Sequence, residues 1–277
     1  MSQPPTQPPP PTAGRDGVRR VIARCARRAV SGGQAAVSAQ KGPNMPTAFG
    51  RAMVATVNGQ PQRFRMTMQG GPSIEMSCRD FLQTREEENR LLDGIALPAN
   101  GVVLDWGCGV GRHLLRLRQR HPSVHCCGID VCDLMLDHCR QTIAAPATFA
   151  RSLDELTHRE FDLVLLVGNG LGVLGSERDA VAGLRRLVGS LRPNGRIVIE
   201  TGNPFGRGYA ALEYTIDYEG YHDGPFTWGY SDRVWLLQTL ENLGCTVSFE
   251  TSHAPGGVFF FAIAQRYNPA AAADGGA

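Results

Sequence analysis

The stretch from Gly101 to Arg112, Gly-Val-Val-Leu-Asp-Trp-Gly-Cys-Gly-Val-Gly-Arg, limits the fold more than any other part of the chain. Val102 to Leu104 is a short apolar run, the pattern of a strand buried on both faces. Asp105 closes it, and Gly107, Gly109 and Gly111 follow at alternate positions before a helical run from His113 to Arg120. Glycines let a backbone turn sharply and approach a ligand, and a helix start offers unpaired N–H groups. A buried strand, a glycine turn and a helix make one unit of a doubly wound α/β sheet. The nicotinamide fingerprint needs its third glycine at position 112, where this chain has Arg. An acid two residues before the first glycine also suits a cationic ligand better than a pyrophosphate. A glycine-rich turn without any ligand is the competing reading.

The rest of the chain continues the strand–helix alternation. Ser123 to Ile129 reads as a second strand ending at Asp130, one strand–helix–strand step after Asp105. An acid at that point can accept two hydrogen bonds from a ribose diol. Thr148 and Phe149 suggest a third strand, followed by Arg151, Ser152 and Leu153. Phe161 to Val167 is a buried strand that runs into Gly168-Asn169-Gly170. A helix is expected from Ser176 to Leu191, then a turn at Arg192–Gly195 and a strand from Arg196 to Glu200. Ser231 to Leu243 reads as a helix stopped by Gly244, and Thr246–Glu250 with Val258–Gln265 as a terminal antiparallel pair. Upstream, alternating runs on either side of Asn58-Gly59 signal a hairpin from Met53 to Met68, and Ser77 with Asp80 has the spacing of a capping box opening a helix to Asp93. Within that helix Glu86 to Glu88 read as a solvated face, with one of them able to point into a cleft.

On these residues, over about 77–266, the chain resembles the class I S-adenosylmethionine-dependent methyltransferases. The first motif, Asp130 and the Pro193-Asn194-Gly195 turn carry the resemblance. It implies a Rossmann-like, mostly parallel sheet with an antiparallel terminal strand, a small N-terminal hairpin and a lid insertion. It further implies that Gly107, Cys108, Gly109 and Gly111 lie under the methionine part of S-adenosyl-L-methionine, with Asp105 near its amino group. Asp130 and the adjoining Val131 would take the ribose, and Gly168 would border the cofactor. Many family members place an acid near the adenine amino group, where this chain has Arg-Ser-Leu-Asp. The backbone of Ser152 and Leu153 is then expected to hold the ring, with Asp154 as an outside candidate. Asn169 falls where the fourth motif faces the transferring methyl group. Nucleic-acid amino-methylases have Asn or Asp, Pro, Pro and an aromatic there; this chain does not. Residues 207–229 hold Tyr209, Tyr214, Tyr218, Tyr221, His222, Phe226 and Trp228, where the family inserts a substrate lid. His222 is the best candidate base if the acceptor must lose a proton, since its unperturbed pKa lies near neutrality. The implied function is methyl transfer to oxygen or nitrogen of a small-molecule acceptor. Within enzymes the alternative is a nucleotide-cofactor oxidoreductase, and outside them a cofactor-binding partner or scaffold without activity.

Four segments are expected: a Pro- and Arg-rich disordered tail over 1–45, a hairpin cap over 46–76, the main domain over 77–268 with its lid at about 203–230, and a disordered tail over 269–277. The first 45 residues hold six arginines, Lys41 and a single acid, whereas the remainder carries 21 basic and 25 acidic side chains. A mildly acidic body is a poor partner for a phosphate backbone, so no nucleic acid is expected. Val18 to Val30 alternates arginines with apolar residues, as a basic amphipathic helix or an organelle transit segment would. The plainer readings are a disordered tail, or an upstream extension with Met45 as the next candidate start. No run reaches the roughly 20 apolar residues of a membrane helix, and no apolar signal segment is seen. A cytoplasmic location is therefore expected, with organelle targeting as the alternative. The eight cysteines form no Cys-x-x-Cys pair and no zinc spacing, so they read as free, buried thiols and no metal is expected.

Overall fold

The computed structural model describes residues 47–251 and 258–267. The tail expected over 1–45, its basic segment, Cys25 and the tail from 269 lie outside the described residues. The main sheet has seven strands: β3 (Val102–Trp106), β4 (His125–Ile129), β5 (Ala147–Ala150), β6 (Phe161–Leu166), β7 (Leu191–Thr201), β10 (Cys245–Thr251) and β11 (Phe260–Arg266). Their order across the sheet is β10-β11-β7-β6-β3-β4-β5. β3, β4, β5, β6 and β7 pair in parallel, while β11 runs antiparallel to both β7 and β10. This is the Rossmann-like arrangement expected from the motif order. The chain winds outward from β3 to β5, then returns to lay β6 on the other side of β3. The switch point at β3 and β6 is where such sheets bind ligands, beyond the carboxyl ends of the strands.

Strand residues alternate between two cores because successive side chains point to opposite faces. Val102 and Leu104, with Val164, Leu166, Ile197 and Ile199, pack beneath α6 (Glu177–Gly189) and α7 (Arg233–Asn242). Val103, Leu163, Leu165 and Val198 pack on the opposite side against Leu114 and Leu117 of α4 (Arg112–Arg120) and Leu136 of α5 (Asp133–Thr142). Five of the seven described cysteines, Cys108, Cys126, Cys127, Cys139 and Cys245, lie in these two cores, Cys78 and Cys132 lie in a third apolar cluster, and all seven are free and buried.

A second sheet, ordered β2-β1-β8-β9, stands over the carboxyl edge of the first. It combines β1 (Arg63–Met68) and β2 (Ser73–Ser77) with the long hairpin β8 (Tyr209–Tyr218) and β9 (Tyr221–Ser231). The segment expected to be a lid, as a loop or hairpin, takes the form of this long hairpin. α1 (Thr47–Val57) packs between this sheet and the start of α5. Residues 53–57, expected to be the first arm of a hairpin, belong to that helix. Ala48, Ala52, Met53 and Thr56 are buried at helical spacing, and Asn58-Gly59 ends the helix with Gly59 at φ +88°. The hairpin turns instead at Gln69–Pro72.

The helix expected from Ser77 to Asp93 is also divided. Ser77 pairs with Arg63 as the end of β2, one turn of helix α2 covers Arg79–Leu82, and α3 begins afresh at Glu86 and runs to Gly94. The cap forms one way at Arg85, whose backbone N–H donates to Glu88 Oε2 at 2.9 Å. The last helix, expected from Ser231, starts at Arg233, because Asp232 accepts the Trp235 N–H at 2.8 Å as its cap.

Candidate active site

The glycine loop folds back on the end of β4. Gly107, Gly109 and Gly111 all have positive φ, at 77°, 55° and 82°. A Cβ on Gly111 would meet Ile143 Cδ1 at 2.6 Å and would strain a backbone held at φ +82°, so glycine is favoured there. The N–H groups of Gly107 and Cys108 donate to the Ile129 carbonyl at 2.8 and 2.9 Å. Asp130 completes the clasp: Oδ2 accepts from Gly109 N and Oδ1 from Cys132 N, each at 2.9 Å. Burial raises the Asp130 carboxyl above its ordinary value, partly offset by these N–H donors. Val131 beside it is exposed at the rim.

Asp105 sits at the end of β3, 1 % exposed, and its Oδ2 has no hydrogen-bond partner. His113 Nδ1 lies 3.3 Å away without the alignment of a bond, and His113 Nε2, also unpartnered, faces Glu88 Oε2 at 4.0 Å. Glu88 is fully buried and receives Nε and Nη2 of Arg85 at 3.0 and 2.8 Å and Nη2 of Arg112 at 3.2 Å. Arg85 reaches on to Glu200 at the end of β7, and Glu200 Oε2 accepts the Gly168 N–H at 2.7 Å. Burial alone would raise the Glu88 carboxyl, yet Arg112, His113 and Arg85 hold it at about 2. Arg85 is driven above the usual guanidinium range: burial opposes its charge, but Glu200 and Glu88 outweigh the burial.

Three carboxylates, two guanidinium groups and one imidazole thus form a continuous buried cluster under the loop. Of its members, sequence reading assigned a site role to Asp105 and left one of Glu86–Glu88 able to point into the cleft. Glu88, expected on a solvated face, is the one of the three glutamates that turns inward, while Glu86 is exposed. The available signal was the Arg85–Glu88 spacing, which caps α3 and buries its own carboxylate.

Asn169 adopts the left-handed conformation at φ 61°, buried after β6, and its carbonyl accepts the Gly172 N–H at 2.9 Å. Its Nδ2 reaches the Gly229 carbonyl of β9 at 3.5 Å, and its Oδ1 has no partner. The Trp228 indole lies on Gly172, where a Cβ would collide with it. Ser152 and Leu153 follow β5, next to Asp130, whose N–H donates to Ala150 at 3.2 Å. Ser152 Oγ donates to Glu155 Oε1 at 3.2 Å, and Leu153 is buried.

His222 is not brought to this cleft. It sits at the exposed tip of the β8–β9 hairpin, with Nδ1 2.7 Å from Asp217 Oδ1. Six strand residues separate it from Gly229, a span on the order of 20 Å. The tip instead serves α1: Asp223 accepts the N–H groups of Ala48 and Phe49 at 3.0 and 2.9 Å and the Thr47 hydroxyl at 3.2 Å, and Arg51 stacks over Tyr221.

Residues 103–195 match the model of the family described as "Methyltransferase domain". A putative methyltransferase of Bacillus subtilis, YqeM, is 27 % identical over 115 residues, covering 40 % of this chain and 46 % of that protein. The chain thus matches about half the length of that curated relative. A methyltransferase of Bacteroides fragilis, solved in complex with S-adenosyl-L-homocysteine, superposes with a TM-score of 0.67 at 21 % identity, covering 83 % of this chain and 98 % of its own. The CcbJ methyltransferase of Streptomyces caelestis gives 0.55 at 17 %, covering 80 % and 99 %. With the sheet order and the Asp105–Arg112 motif, the matched residues resemble a class I S-adenosylmethionine-dependent methyltransferase domain.

Proposed function

We propose that the protein transfers a methyl group from S-adenosyl-L-methionine to oxygen or nitrogen of a small-molecule acceptor. The observation that carries this reading is the pair of buried acids, Asp105 and Asp130, at adjacent parallel strand ends on either side of the glycine turn. The residues present fit this cofactor. Asp105 Oδ2 is a buried acceptor without a donor, suited to an ammonium group. Asp130 is placed for ribose hydroxyls, and the N–H bonds it accepts from Gly109 and Cys132 fix its carboxylate in advance. Val131, Ser152 and Leu153 border the adenine side, and Gly168 borders the methionine side. When bound, the cofactor supplies an electrophilic methyl group on a sulfonium.

Displacement at that carbon depends on alignment and close approach more than on acid–base help. Asn169 and Trp228 line the approach between the strand ends and the second sheet, and the unpartnered Asn169 Oδ1 would accept a hydrogen bond from an acceptor hydroxyl or amine. Asn169 therefore orients the acceptor in this reading, and the second sheet excludes water above it. Titrating S-adenosyl-L-methionine by calorimetry, then assaying turnover on alcohol and amine acceptors, tests the proposal. Absence of binding would refute it. Binding without turnover on every acceptor would favour a cofactor-dependent partner protein.

A further inference from the structure

The ceiling of the cleft differs from its floor in charge. Phe64 and Met66 of β1, Tyr214 of β8 and Phe226, Trp228 and Tyr230 of β9 share the face of the second sheet turned toward the large one. Strand alternation sends Arg65, Glu75, Glu213 and Asp217 to the opposite face. Asp223 is the one charged side chain that the described strands put on the inner face, and α1 takes it up through the Ala48 and Phe49 N–H groups. The inner face is packed at both ends. Toward the hairpin tip Phe64, Ile216 and Tyr218 meet α1, Val110 and Met135; toward its base Tyr214 and Tyr230 meet Phe259. Phe226 and Trp228 lie between, only half-buried, with ring centroids 6.3 Å apart and planes at 73°. The Trp228 indole stands on Gly172, whose N–H donates to the Asn169 carbonyl, and the next carbonyl along β9, that of Gly229, takes Asn169 Nδ2. Asn169 is buried and its Oδ1 has no partner, so the aromatic strip ends at an orphaned hydrogen-bond acceptor.

We propose that the methyl acceptor is a flat, uncharged aromatic molecule, held with its ring against Phe226 and Trp228 and its hydroxyl or amino group donating to Asn169 Oδ1. This rests on the function proposed above and names the acceptor class within it. Packing alone closes rings off, as it does those of Tyr214 and Tyr230; Phe226 and Trp228 keep surface open beside the strand ends. Ring faces and edges suit another ring, and Met66, which packs in the same ceiling, adds a thioether that aromatic groups favour. A charged acceptor would shed its water beneath this ceiling without meeting a counter-charge on it. A polyhydroxylated acceptor would leave most of its hydroxyl groups unpaired against the rings. Asn169 Oδ1 answers a single donor, which fixes the edge of the molecule that faces the strand ends.

The test is calorimetry on the full chain, with and without S-adenosyl-L-homocysteine, using naphthol, methoxynaphthalene, hydroxynaphthoate and methyl glucoside as probes. Naphthol should bind several-fold more tightly than methoxynaphthalene, which lacks the donor, and about tenfold more tightly than the charged hydroxynaphthoate. Methyl glucoside should bind roughly 100-fold more weakly than naphthol. Trp228→Ala should weaken naphthol about tenfold and leave S-adenosyl-L-homocysteine affinity as in wild type, whereas Trp228→Phe, which keeps a ring, should restore most of the loss. No binding of naphthol, binding of hydroxynaphthoate or methyl glucoside as tight as that of naphthol, or unchanged naphthol affinity in Trp228→Ala would overturn the proposal. With S-adenosyl-L-homocysteine still bound, each of these results leaves the cofactor reading intact. No heat with S-adenosyl-L-homocysteine in wild type would instead overturn the cofactor reading and the acceptor role together. Should Trp228→Ala fail to fold, the order of the four probes on wild type decides the question alone.

Discussion

The glycine loop and the second sheet reach the same cleft by different means. The loop is clasped by groups on neighbouring strands: Ile129 holds Gly107 and Cys108, and Asp130 holds Gly109. The sheet above is stitched by contacts between distant parts of the chain. β1 pairs with β8, and Asp223 near the hairpin tip caps α1 from 175 positions away in sequence. A third group, the cluster of Glu88, Arg85, Arg112, His113 and Glu200, belongs to neither. The loop is thus a local device on the sheet edge, and the roof is joined to it by the apolar packing of Val110, Cys132 and Met135 against α1, Ile216 and Tyr218 as well as by polar contacts.

The largest effect is expected at the joint. Glu88→Ala leaves Arg85 and Arg112 without their shared partner and should cost about 3–5 kcal/mol of stability, the typical cost of breaking a buried ion pair; urea denaturation would measure it. The same residue sets an acid limit. Its carboxyl is held at about 2 against an ordinary value of 4.5, so the stability it confers is present above about pH 4.5 and is lost as pH falls toward 2. Glu88→Gln should lack this part of the acid slope in melting temperature, and an unchanged slope would separate the cluster from acid stability.

On the loop side, Asp130→Ala should weaken S-adenosyl-L-methionine binding by roughly 1–3 kcal/mol, the cost of leaving hydrogen-bonding groups unpaired. Calorimetric affinity equal to wild type would remove Asp130 from the cofactor site. On the roof side, Asp223→Ala removes the cap of α1 and should cost about 1–2 kcal/mol. Hydrogen exchange would then quicken in α1 and not in β3, if the two regions are as distinct as their contacts suggest. Smallest of all, His222→Gln should change stability by no more than about 0.5 kcal/mol, as expected for an exposed pair. Once an acceptor is known, its turnover against pH should overlay that of wild type.

What the sequence disclosed and what it hid follow the same division. The strands of the large sheet are buried on both faces, so continuous apolar runs such as Phe161 to Leu166 mark them directly. The acids and glycines at their ends stand out because chain order alone brings Asp105, the loop and Asp130 together. The roof has only one protected face, and its pairing partners are remote. Asn58-Gly59 therefore suggested a hairpin turn, although the burial of Ala48, Ala52 and Met53 makes it a helix stop. The aromatic residues of 207–229 were seen, but their register was not. Hence His222 was expected in the cleft, whereas the pairing of Tyr218 with Tyr221 puts it at the far tip. The charge cluster was hidden for a related reason: Glu88, His113 and Glu200 are ordinary polar residues until tertiary packing removes them from water.

The cap on α1 also governs when the molecule can be completed. During synthesis the chain leaves the ribosome amino end first. α1 and β1 emerge before the strands β3 to β7, yet the carboxylate that secures α1 and the strand that flanks β1 arrive only with residues 209–231. The segments made earliest must therefore wait for the β8–β9 hairpin, and the parallel strands with their glycine loop are all made before the roof can close over them.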